Sequence, residues 1–230
     1  MDELGRVLAA LPHLPIFPLP GAVLLPHGAV PLHIFEPRYR EMTRDCLLRN
    51  GGNNALALAQ IVPSSIGTAK DPPRVMPIVG VGTLARVEEL PDGRYNLVLK
   101  GVLRARILEE HRTAKPYRVV RAEALLDDPA DDSSPASIAA AAALRRLLFA
   151  LCAAKPGPAA EALAQMAARA QAPGRLADLL GAALLESAAD RQAALEALRV
   201  EARLALVSRT VAALLAQTGP ARERKGGYLN

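Results

Sequence analysis

The stretch at residues 127 to 135, DDPADDSSP, divides this 230-residue chain into two halves of different character. Before it, from Leu14 to about Leu126, apolar residues come in short runs bounded by Pro, Gly, Asn and Asp, the pattern of strands. Beyond it the chain becomes rich in Ala and Leu and reads as helices. Strands and helices segregated in this way make an α+β chain.

The clearest element of the first half is a hairpin. Val81 to Leu90 and Arg94 to Leu108 flank Pro91-Asp92-Gly93, where Pro presets φ and Gly accepts a positive one. In Arg104-Ala105-Arg106-Ile107 the alternation predicts arginines on the solvent face. One helix interrupts the strands, at about 37 to 49. Pro37 suits a first turn, Asn50-Gly51-Gly52 supplies a stop, and Tyr39, Met42 and Cys46 form the buried face. Residues 63 to 77, PSSIGTAKDPPRVMP, have no period and read as a long loop.

Residues 1 to 13 read as a leader, 14 to 127 as the strand subdomain, 128 to 135 as a linker and 136 to 217 as a helical bundle. Within the bundle, helices are expected at about 136–154, 158–172, 174–187 and 190–217, the last with Asp190 as N-cap. That final helix, about 28 residues and about 40 Å long, would be the spine of the bundle. The tail 218–230 mixes charge with Gly and is expected to be disordered.

Cys46 and Cys152 sit among apolar neighbours and read as small hydrophobes, so no disulfide or redox chemistry is expected. The start lacks a basic region followed by a long apolar one, and no later run approaches the ~20 apolar residues of a membrane span. A cytoplasmic protein without a membrane partner is the expectation. Net charge is +5, from arginines scattered among acids, and aromatic residues make up 3% with no Trp, which leaves little for stacking nucleic-acid bases.

Four segments in order resemble one family. They are LPIFPLPGAVLLPHGAVPLHIFEPRYR at 14–40, VGVGTLARVEELPDGRYNLVLKGVLRARI at 79–107, GRLADLLGAALLE at 174–186 and DRQAALEALRVEARLALVSRTVAALL at 190–215. Together they resemble the amino-terminal, substrate-binding domain of the Lon proteases over nearly the whole chain. The resemblance implies a PUA-like β-barrel of about six strands and one helix, a helical bundle packed behind it, and a stand-alone domain. It also implies a non-enzymatic module that recognises unfolded or exposed apolar polypeptide segments, as adaptor or modulator of ATP-dependent proteolysis beside a separate protease or chaperone.

The residues agree with the absence of chemistry. No G-x-x-x-x-G-K-[ST] loop occurs, and no serine lies in G-x-S-x-G or beside a Lys that resembles the Lon Ser/Lys dyad. His13, His27, His33 and His111 show no metal-ligand spacing, and the pairs Glu88-Glu89 and Glu109-Glu110 point to opposite strand faces. Catalytic residues, metal and cofactor are therefore expected to be none. For peptide binding, the candidates are apolar loop residues without an obvious core position: Leu24, Leu25, Pro26, Ile66, Val75 and Met76, which either form an exposed patch or plug the barrel end. The alternative is RNA binding on the barrel surface through Arg86, Arg94, Arg104 and Arg106. A homodimer through the long helices has no support from the sequence.

Overall fold

A computed structural model describes residues 2–47, 51–65 and 72–218. Six strands form one sheet: β1 (Leu14–Leu19), β2 (Ala29–Ile34), β3 (Ala55–Gln60), β4 (Ile78–Glu89), β5 (Tyr95–His111) and β6 (Val119–Leu125). Their order is β2-β5-β4-β3-β1-β6, and β6 also pairs with β5, so five strands close on themselves while β2 stays outside the ring. The 17 residues of β5 make this closure. Tyr95 to Lys100 pair with β2, Arg104 to His111 pair with β6, and β4 runs along the other edge. The β1–β3 pair is parallel and the other pairings are antiparallel. The hairpin turn is the expected one, with Gly93 at φ +77° and its N–H donated to the Leu90 carbonyl.

Ala55-Leu56-Ala57-Leu58-Ala59 on β3 is buried on both sides. Its alanines join Leu14, Ile16, Val79, Val81, Leu103, Ala105 and Val120, a cluster drawn from all five ring strands, where small side chains suit the narrow interior. Its leucines join Phe17, Leu32, Leu97 and Leu99 under α2 (Pro37–Cys46), which contributes Tyr39 and Met42. The helix stops at Cys46, short of the expected end near 49, because Leu47 is already extended at ψ 136°. Within the expected leader, α1 (Glu3–Ala10) buries Val7 and Ala10 against the ring interior, and Glu3 accepts a 2.6 Å hydrogen bond from Thr83 Oγ1.

The helical part contains α3 (Pro129–Asp132), α4 (Pro135–Ala154), α5 (Pro158–Arg169), α6 (Pro173–Leu184), α7 (Ala188–Glu196) and α8 (Val200–Ala216). In α2 through α6 the first residue is proline, whose missing N–H has no helical partner there anyway. The continuous helix expected over 190–217 is instead two, broken at Ala197-Leu198-Arg199. Arg203 donates to the Ala197 and Leu198 carbonyls at 3.1 Å each, and Asp131 accepts the Val200 N–H at 2.8 Å, so the break is stabilised by polar partners. The cap of α7 is Ser187, not Asp190. The Ser187 Oγ accepts the Asp190 N–H at 2.9 Å.

One described helix, α4, is long and apolar enough to cross a membrane, contrary to the expectation that no run approaches that length. In this fold it buries Ala141, Leu144, Leu148 and Leu151 in the helical core, against α6 and α8. The expected tail disorder lies outside the described residues, apart from Thr218.

Candidate functional site

Where β6 peels away from β1, the ring opens into a groove of about 400 Å³. Only Leu14 and Pro15 of β1 pair with β6, and the last bond on that edge runs from the Ile16 N–H to the Arg118 carbonyl at 3.0 Å. Two residues on, Pro18 occupies the same edge without an N–H, so an incoming strand meets no donor there. Phe17 to Pro20 and the start of α2, with Glu36, Arg38 and Tyr39, line one side of the groove. Ile61, Pro72, Pro73 and the segment Pro116-Tyr117-Arg118 line the other.

One of the chain's three Phe and two of its four Tyr meet here. The Phe17 and Tyr39 rings are 4.4 Å apart at a 57° tilt, and the Arg38 guanidinium stands 4.5 Å above the Tyr39 ring. Around the rim, charges are paired: Arg38 with Glu36 at 2.8 Å, and Arg118 with Glu110 at 2.7 Å. Arg118 also donates to the Pro73 carbonyl at 2.9 Å, tying the two segments of the far wall together.

Tyr117 is held from outside the groove. Its hydroxyl donates to Asp45 Oδ2 at 2.7 Å, and Lys115 Nζ donates to the same oxygen at 2.8 Å. Burial would raise the Asp45 carboxyl, but the hydrogen bonds from Lys115 and Tyr117 hold it below its ordinary value. Burial and the Asp45 hydrogen bond push the Tyr117 phenol up, and burial does the same to Tyr39. Phe17, Tyr39 and Tyr117 are only 6%, 6% and 7% exposed and form the floor of the groove, while Glu36, Arg38 and Arg118 bring charge to its lining. Among the described residues no group of three or more His, Cys, Asp or Glu is placed to hold a metal.

The apolar residues nominated from the sequence are, among the described residues, not brought together. Leu24, Leu25 and Pro26 are buried, Leu24 in the cluster under α2 and Leu25 against Leu185 and Leu195 of the helical half. Their loop lies flat on the sheet because Gly80 and Gly101 have no side chains. A Cβ at either would collide with the Leu24 or Leu25 carbonyl. Val75 and Met76 are half-buried, Val75 in a bridge with Ile61 and Met76 donating its N–H to the Gln60 carbonyl at 2.8 Å. Ile66 lies outside the described residues.

Of the arginines, Arg86, Arg94 and Arg106 are exposed, and Arg94 is paired with Asp92 at 2.6 Å. Arg104 is only 2% exposed, contrary to its expected solvent-facing position. Its face of β5 is covered by the helical half, where it donates to Asp178 at 2.7 Å and Asp127 at 3.0 Å.

Sequence reasoning missed Phe17, Tyr39 and Tyr117. A signal was available, since each lies beside or within two residues of a proline in a chain with few aromatic residues.

A family model described as the ATP-dependent protease La (LON) substrate-binding domain matches residues 13–213. The Lon protease of Anaeromyxobacter dehalogenans (strain 2CP-C) is 29% identical over 199 residues, covering 84% of this chain and 22% of that protein. Lon protease 2 of Myxococcus xanthus is 27% identical over 199 residues, with 84% and 23% covered. The chain thus spans less than a quarter of these relatives' length. In fold it is similar to the N-terminal domain of a Mycobacterium avium complex Lon protease, with TM-score 0.68, 20% identity and 87% and 98% of the two chains covered. It is also similar to a Lon N-terminal domain protein from Xanthomonas campestris, with TM-score 0.58, 22% identity and 84% and 95% covered.

Proposed function

Because the chain belongs to the family of the ATP-dependent protease La (LON) substrate-binding domain, we propose that it captures exposed apolar segments of polypeptide in the groove between β1, α2 and the β5–β6 connection. The observation that carries this reading is the meeting of Phe17, Tyr39 and Tyr117 in one open groove whose rim arginines are already paired. Such a surface gains from burying a ligand's apolar side chains. Sequence-tolerant capture also fits an edge at Pro18 that offers no donor for strand addition. No reaction is assigned to the groove. The role that follows is holding a client, as adaptor or modulator of ATP-dependent proteolysis carried out by other modules.

The three aromatics are also core residues, so truncating them would cost stability as well as binding. The cleaner variant is Pro72→Glu with Pro116→Glu, since both prolines are exposed on the far wall. Fluorescence anisotropy with a labelled, permanently unfolded polypeptide and with a structured RNA, each at low and high salt, tests the reading. Salt-resistant binding to the polypeptide, weakened about tenfold or more by the two glutamates, is expected, because an apolar ligand would have to desolvate them. Salt-sensitive binding to RNA alone would replace this reading with the nucleic-acid one, carried by Arg86, Arg94 and Arg106.

A further inference from the structure

We infer that Asp45 is a positioning residue for the groove: it lines no part of it, yet it fixes the far wall by holding Tyr117 and Lys115 on one carboxylate oxygen. The inference rests on the groove being the polypeptide site. Helix α2 contributes Tyr39 to the near wall and, six residues later, turns Asp45 toward the connection that carries the far wall. Those six residues of helix span about 9 Å and do not bend appreciably over so short a run. The helix thus acts as a ruler between the two sides.

The connection needs such a tether. From Arg112 to Pro116 it is exposed, and within it the Lys115 N–H donates to the Thr113 hydroxyl at 3.3 Å. Two of its side chains instead converge on Asp45 Oδ2, at 2.7 Å from the Tyr117 hydroxyl and 2.8 Å from Lys115 Nζ. The charged acceptor makes both bonds stronger than their neutral equivalents. Committing the Tyr117 hydroxyl to Asp45, which lines no part of the groove, also fixes the ring that does. The other charged or titratable neighbours of Asp45 are Arg44, Glu41 and Cys46, on its own helix.

With Asp45 replaced, the wall segment would sample wider positions, and a client would have to order it on binding. The prediction is therefore a loss of affinity without loss of the barrel.

The test is a double-mutant cycle read by anisotropy against the labelled unfolded polypeptide, with thermal melting in parallel. Asp45→Ala and Tyr117→Phe should each weaken binding about tenfold, the size of one charge-assisted hydrogen bond, and the double variant should be no weaker than either single one. Asp45→Asn keeps an acceptor for the Tyr117 hydroxyl and should recover most of the affinity. Glu201→Ala removes a surface ion pair with Arg199 at the start of α8, which lines no part of the groove, and should leave binding unchanged. Wild-type binding that survives Asp45→Ala within twofold overturns the inference while leaving the capture site standing. A loss equal to the fall in folded fraction overturns it too. Absence of wild-type binding to the polypeptide removes the proposed function itself.

Discussion

Arg104 on β5 and Asp178 on α6 meet through a 2.7 Å hydrogen bond across 74 residues of sequence, each only 2% exposed. Arg203 of α8 approaches the same Asp178 oxygen at 3.3 Å, and Asp127 accepts from both arginines. Burial pushes the Asp178 carboxyl above its ordinary value, and the two guanidiniums oppose that. Four charges thus join β5, the segment after β6 and two helices.

Removing Asp178 or Arg104 leaves one unit of charge in excess among groups of which Arg104, Asp178 and Arg203 are each no more than 2% exposed. Asp178→Ala or Arg104→Ala should each cost about 3–5 kcal/mol, whereas replacing both with apolar residues of similar volume should cost less than either. Urea unfolding with a constant m-value measures this. A loss below about 1 kcal/mol for both single variants would show that water relieves the seam. Arg104 is accordingly a poor probe of RNA binding, and Arg86→Glu with Arg106→Glu is the informative pair.

Arg104 also shows where sequence pattern stops being enough. Its alternation with Ala105 and Ile107 correctly marks the core face of β5, but the opposite face is wet or dry according to helices more than 70 residues downstream. The Pro91-Asp92-Gly93 turn and the starts of α2, α4, α5 and α6 were legible because their cause is local backbone chemistry, whereas α3 lies in the segment read as a linker. The break before α8 was not. Apolar spacing runs on through Leu195 and Leu198, and the break is held by Arg203 and by Asp131 of the distant α3. For the groove, the aromatic residues were visible but their meeting was not, since it depends on where β6 leaves β1.

Asp131 makes the second prediction. Its carboxylate caps α8 through the Val200 N–H at 2.8 Å and holds the Arg199 side chain at 3.1 Å. Asp131→Ala should cost about 1 kcal/mol, the usual value of a lost N-cap, and Asp131→Asn less. An unchanged denaturation midpoint would show that α8 needs no cap from α3.

The glycines under the first loop carry the third. Gly80→Ala and Gly101→Ala place a methyl group against the Leu24 and Leu25 carbonyls, which are backbone and cannot rotate away. Each should cost roughly 1–3 kcal/mol by displacing the loop from the sheet. If either variant melts with wild type, the loop is free to lift, and Leu24 and Leu25 return as candidates for ligand contact.

Acid should loosen α1 before it unfolds the barrel. The Thr83 hydroxyl donates to Glu3 at 2.6 Å and Lys100 Nζ lies 3.1 Å from its other oxygen, and together they hold the Glu3 carboxyl below its ordinary value of 4.5 despite partial burial. A carboxyl lowered in the folded state contributes stability that is fully present above the unfolded value. That contribution is lost as pH falls through the folded one. Glu3→Gln should therefore lower the melting temperature by a constant amount above about pH 5, and the gap to wild type should close in more acidic solution. Thr83→Val should reproduce the same pH profile, because it removes the bond that shifts the carboxyl most. A gap independent of pH down to acid unfolding would mean that the ionised form of Glu3 contributes nothing to the docking of α1.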